Sequence, residues 1–251
     1  MRCRHLLIPV VLTVLVAAGC GSASEPTAQL ADPQQCPHQQ TVVDRALNRS
    51  HLQVDISGDG KPDTVAAASD PGAAKPCRGF VAVRMAGGRV YAAHLIPNAV
   101  PTRGIQARIV GVPRLGGRAV RDIVVDTGAA VDAELAQLFT FTGGRLQAVH
   151  VPDQPNGSFI VVGGGLVFPR GAGCTRDGRL ILSHAAETAD HHSYRVTRRT
   201  YPLRMDGLGF TQPAVTRATV PARQLGVRFP EFVGPHWRAC SGGSALRTLA
   251  G

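Results

Sequence analysis

Short runs rich in Val, Ile, Leu and Phe follow one another from Thr64 to Ala185, and Gly, Pro or Asp stands between most of them. They are "TVAAAS", "FVAVRMA", "RVYAAHL", "IQARIVGV", "DIVVD", "LFTFT", "RLQAVHV", "FIVVGGGLVF" and "RLILSHA". Runs of this length, bounded by turn residues, specify strands. Long helical periodicity is absent, and only Val43–Leu47 has the makings of a short helical turn. Two hairpins are marked by Gly-Gly, at Gly87-Gly88 and Gly143-Gly144. A two-residue hairpin loop needs positive φ at its centre, which glycine adopts without a steric penalty. The expected fold is all-β, with propeller-like or stacked antiparallel β repeats; a β-sandwich is the alternative.

The hairpins carry a candidate repeat. Asp63-Thr64-Val65-Ala66 precedes the first Gly-Gly, and Asp122-Ile123-Val124-Val125 precedes the second. The two aspartates are 59 residues apart. Repeat units are expected near 50–100, 102–150 and 159–212, the third being weaker. Self-similarity at such a period is the mark of blades or stacked units.

The amino terminus sets the compartment. "MRCRHLLIPVVLTVLVAAGC" has basic Arg2 and Arg4, an apolar run from Leu6 to Ala18, and Cys20 after small residues. This is the layout of a secretory signal, and the run is shorter than a membrane-spanning helix requires. Ala17-Ala18-Gly19-Cys20 resembles the bacterial lipobox. The resemblance implies cleavage of residues 1–19 and a diacylglycerol on Cys20, with the protein held on the extracytoplasmic face of the cell membrane. Residues 20–35 read as a flexible, lipid-anchored tether, and 36–251 as a single domain.

Removing Arg2 and Arg4 leaves 25 basic residues against 17 acidic, a net +8. A positive surface outside the cell suits anionic lipid or wall polymer, or serves solubility alone. No basic, aromatic-studded segment points to nucleic acid. Cys36, Cys77, Cys174 and Cys240 remain after Cys3 and Cys20 are set aside. An even count in an oxidising compartment predicts two disulfides. Three pairings are possible; Cys36–Cys77 and Cys174–Cys240, each within its own half, are favoured.

The densest polar motif is "VDISGDGKPDTV", Val54–Val65. It resembles the calcium loop of FG-GAP or VCBS repeats, found in integrin-like β-propellers and secreted bacterial proteins. The resemblance implies calcium held by the side chains of Asp55, Ser57, Asp59 and Asp63 and by the carbonyl of Lys61. Calcium takes six to eight hard oxygens, and Gly60 permits the sharp bend that brings them round. Neutral Ser57 weakens the set, and Ala66 stands where an EF-hand has Glu. The other reading is a solvated Asp-Gly turn. In the second unit Arg114, Gly116 and Arg118 occupy the places of Asp55, Ser57 and Asp59, so an arginine there is expected to act in the cation's stead.

Other motifs speak for structure. His184, His191 and His192 invite a metal reading, but adjacent strand residues point to opposite faces, which favours a solvated hairpin. No G-x-S-x-G elbow occurs. Gly163–Gly165 reads as a bulge or tight turn. Trp237, the sole tryptophan, is expected to pack beside a disulfide rather than to serve as a ligand platform. The functional expectation is a non-enzymatic envelope module that binds a protein or glycan. The alternatives are an envelope hydrolase using carboxylates such as Asp126, Asp132 and Glu134, and a wall-associated structural protein held by its charge.

Overall fold

Strand-forming runs that end in glycine turns build antiparallel meanders, and the chain folds as a succession of them. The computed structural model describes residues 36–96, 107–130, 133–153, 157–234 and 236–241. The signal, the tether with Cys20, and Asp132 lie outside the described residues. The first sheet is β1 (Gln53–Val54), β2 (Asp63–Ser69), β3 (Gly79–Arg84) and β4 (Val90–His94), paired in chain order. The second meander is β5 (Arg108–Gly111), β6 (Ile123–Ala130), β7 (Ala133–Thr142) and β8 (Arg145–Ala148). β9 (Ile160–Gly163) joins the free part of β7's edge to a third meander. That one consists of β10 (Arg170–Cys174), β11 (Leu180–Glu187), β12 (Ser193–Tyr201) and β13 (Ala214–Pro221). The last two meanders thus form one large sheet, and neither sheet closes on itself among the described residues. The fold is all-β, of stacked antiparallel sheets.

The two Gly-Gly turns differ. Thr142 faces Arg145 across a two-residue loop, with both Gly143 and Gly144 at positive φ. At the first, the Met85 N–H donates to the Arg89 carbonyl, so the loop holds three residues and only Gly88 has positive φ. A type I turn closed by one left-handed residue needs glycine only at that last place.

Several strands are buried on both sides, which explains their unbroken apolar runs. Val81 and Val83 of β3 meet Ile123, Val125 and Phe139 of the second sheet, while Phe80 and Ala82 face the other way. There they pack under helix α1 (Gln39–Arg49), which is longer than the single turn expected at Val43–Leu47. Val43 and Leu47, one turn apart, are its buried seam, and polar residues make up most of the rest. Packing on the sheet stabilises a helix whose sequence carries few apolar positions. Cys36–Cys77 ties the start of α1 to the β2–β3 connection. Cys174–Cys240 ties β10 to the chain's last described turn. By loop-closure entropy each disulfide is worth about 4 kcal/mol.

Trp237 is buried beside Cys174–Cys240 in the core under β6, β7 and β9 to β12. Gly111, at the end of β5, makes room for it: a Cβ there would stand 2.7 Å from the indole. A second cover, Phe229 and Phe232 around the short helical turn Leu225–Arg228, lies over Ala185, Tyr194, Val196 and Val220.

Candidate functional site

The loop Asp55–Asp63 is closed by its own carboxylates. Asp55 Oδ1 accepts the Gly58 N–H at 2.7 Å, and its Oδ2 accepts the Gly60 N–H at 3.0 Å. Asp59 Oδ1 accepts the Lys61 N–H at 2.8 Å. Gly58 and Gly60 both sit at positive φ and let the backbone curl around Asp55. Asp63 points inward and is 1% exposed. Its Oδ2 accepts the N–H groups of Ile56 and Ser57, and its Oδ1 accepts that of Ala86 in the first Gly-Gly loop. Among the described residues, no three His, Cys, Asp or Glu side chains stand together as a metal cluster. The Ser57 hydroxyl, in contrast, is buried without a hydrogen-bond partner.

The loop also docks on the second meander. The Arg121 N–H donates to the Ile56 carbonyl at 3.1 Å, and a Cβ at Gly58 would reach 2.9 Å from that of Ala119. Arg121 itself is buried. Its Nη1 donates to the carbonyls of Val112 and Ser241, at 3.2 and 2.8 Å. Burial lowers its pKa, Arg114 adds to the effect, and the charge of Asp55 opposes both.

The second meander repeats the device. Asp122 is fully buried, and its Oδ2 accepts the Leu115 N–H at 3.1 Å. Leu115 lies 59 residues after Ile56, as Asp122 does after Asp63. The Asp122 N–H donates to the carbonyl of Pro113, which corresponds to Val54, the strand partner of Asp63. At Oδ1 the units diverge. Arg118, in the place of Asp59, brings Nη2 to 2.8 Å from Asp122 Oδ1 and 3.2 Å from the Thr140 hydroxyl. Burial raises the Asp122 carboxyl to about 6 against the pull of Arg118, Thr140 and the Leu115 N–H.

The remaining candidates are dispersed. Asp126 pairs with Arg108 at 3.0 Å, and its other oxygen accepts the Gly128 N–H. Glu134 lies on β7 opposite Ala129. His184 stands in β11 with Arg199 Nη1 3.3 Å from its Nδ1. His191 and His192 sit in the following turn, where His191 approaches Glu187 at 3.0 Å. One polar cluster was not anticipated: Glu231 is buried, with Oε1 2.7 Å from the Ser183 hydroxyl and 3.1 Å from Arg198 Nε. It pins the C-terminal cover to β11 and β12. The separations, 48 and 33 residues, leave no local trace of this pairing.

No protein-family model matches the chain, and no curated protein or solved structure is significantly similar to it.

Proposed function

We propose that the protein is an extracytoplasmic binding or scaffold module of the cell envelope, built from degenerate FG-GAP-like β units and held to the membrane through lipid on Cys20. The observation that carries this reading is how the buried polar groups are used. Asp63, Asp122 and Arg121 brace backbone, and Glu231 holds the side chains of Ser183 and Arg198, inside a disulfide-tied frame. Such a frame is built to present surfaces, and its disulfides suit an oxidising exterior. The partner in this reading is a protein or glycan of the envelope.

Calcium enters as a structural ion. Its donors would be Asp55, Ser57, Asp59 and the Lys61 carbonyl; Asp63, which the sequence resemblance places in the set, is revised to an inward brace, because its oxygens already accept the N–H groups of Ile56, Ser57 and Ala86. The unpartnered Ser57 hydroxyl and the curled glycines support this assignment.

Crosslinking in intact cells followed by mass spectrometry tests the module reading. Recovery of a reproducible envelope partner supports it, and turnover of wall polysaccharide by the pure protein overturns it. For the anchor, Cys20→Ala should abolish labelling by a fatty-acid analogue; labelling that persists would remove Cys20 from the proposal.

A further inference from the structure

The loop between β9 and β10 holds apolar side chains out in water. Leu166 is 83% exposed, Val167 51% and Phe168 64%. The backbone beneath them is pinned. Tyr194 Oη donates to the Leu166 carbonyl, the Glu187 N–H to that of Val167, and the Ala185 N–H to that of Pro169. Gly164 permits the tight return, because a Cβ there would come within 2.7 Å of the Phe168 carbonyl. Three consecutive apolar residues on a fixed backbone form a tip that has not folded back onto the core.

Strand register places this tip beside a basic sheet face. The bonds to Val167 and Pro169 continue the β10–β11 ladder and set Phe168 opposite Ala186. The row then runs through Arg195 to Thr219. The next row on the same face is Arg170, His184, Thr197 and Arg217. Arg170, His184, Arg195 and Arg217 are all exposed. Arg170 and Arg199 stand close enough to His184 to add to the burial that lowers its pKa. Glu187 and Glu231 belong to the opposite face, whose cover is the Phe229 and Phe232 segment. On the basic face a carboxylate, Asp153, approaches Arg199 at 3.5 Å.

We propose that this face docks on the anionic surface of a lipid bilayer, with Leu166, Val167 and Phe168 entering the headgroup boundary and Arg170, Arg195 and Arg217 meeting lipid phosphates. Apolar insertion and cationic flanks are the two ingredients of interfacial binding. A soluble polyanion would use the arginines but would gain nothing from the tip. The inference goes beyond the binding-module reading and does not depend on lipid at Cys20. An unlipidated chain starting at Gly21 keeps every residue of the described clusters and both disulfides.

The test is cosedimentation of that chain with vesicles of phosphatidylcholine containing one quarter phosphatidylglycerol, against pure phosphatidylcholine vesicles and soluble polyphosphate. The expected result is binding to the anionic vesicles that weakens with salt. Combined Leu166→Ser, Val167→Ser and Phe168→Ser should reduce it at least tenfold, roughly the transfer of a few buried methylenes. Arg195→Gln with Arg217→Gln should reduce it roughly fivefold per arginine. Thermal melting checks that each variant is folded, and the arginine pair decides the matter if the serine variant is not. Absence of binding to anionic vesicles at low salt overturns the proposal. So does a folded serine variant that binds like the parent, which would make the face a polyanion surface. So does a folded arginine variant that binds unchanged.

Discussion

Asp122 should leave a signature in the pH dependence of stability, and Asp122→Asn isolates it. Its carboxyl lies at about 6 in the fold against an ordinary 3.8. The native state therefore binds the proton more tightly than the unfolded chain does. Stability from this site is fully present below pH 3.8 and is lost as pH rises through about 6. The gap between about 6 and the ordinary 3.8, at about 1.4 kcal/mol for each tenfold change in proton affinity, amounts to about 3 kcal/mol. No discount for solvent screening applies, because Asp122 is fully buried. Asparagine keeps an acceptor for the Leu115 N–H but does not titrate. The assay is urea unfolding of both proteins at intervals from pH 3.5 to 7.5, reported as the difference at each pH. Other titrating groups contribute to both curves and cancel. The parent should lose about 3 kcal/mol relative to the variant across this window. A flat difference would refute the reasoning, and so would a parent that gains on the variant as pH rises, since that means Arg118 outweighs burial.

Gly111→Ala drives a methyl into Trp237; it should cost about 1–3 kcal/mol and shift the emission of the sole tryptophan, and an unchanged spectrum and melt would contradict the packing. Glu231→Ala leaves the buried Ser183 hydroxyl and the partly exposed Arg198 without their partner and should cost about 1–3 kcal/mol in urea unfolding, with Glu231→Gln milder; equal stabilities would remove the cluster from the frame. Calcium at about tenfold over its Kd should raise stability by roughly 1.4 kcal/mol, with magnesium doing less. Asp59→Ala should abolish that response and Asp122→Asn should not. Identical melting in calcium, magnesium and chelator would leave the loop as a polar turn.

Most strands from β2 to β11 are legible because their determinants are local, whereas β12 and β13, rich in Arg and Thr, lie beyond the apolar runs and are held by the β11 ladder. β-branched runs such as "DIVVD" and "FVAVR" need only turn residues at their ends, and burial on both faces of β3 and β6 explains why neither alternates. The Cys36–Cys77 and Cys174–Cys240 pairing also follows the favoured arrangement. Helix α1 was underread because its seam is only Val43 and Leu47, with Val42 and Ala46 at its margin; the sheet beneath supplies the rest. The first Gly-Gly loop was misjudged by one residue, since sequence shows the glycines but not that Met85 pairs with Arg89. Glu231 was invisible because tertiary packing alone brings it to Ser183 and Arg198.

The 59-residue offset carries the most information, because it shows one device solved in two ways. In both meanders an inward aspartate gathers the N–H groups of the loop before it, Ile56 in one and Leu115 in the other. A carboxylate in such a place requires compensation for its burial. Asp122 receives it from Arg118, a cation attached to the chain and present under all ionic conditions. Asp63 receives a third backbone N–H, from Ala86, and has Asp59 where its counterpart has arginine. The first loop therefore concentrates negative charge that the second has neutralised within itself. Asp55 and Asp59 are met within the fold by backbone N–H groups and, at Asp55, by the charge of Arg121, and a bound cation would offset what charge remains. If the proposed calcium binds, its stabilising effect belongs to the first meander, and placing arginine there should remove it. Asp59→Arg, copying Arg118, is expected to hold the melting point of the calcium-loaded protein in chelator. A variant whose melting point falls in chelator as far as the parent's does would show that the two loops, despite their matching bonds, are not equivalent.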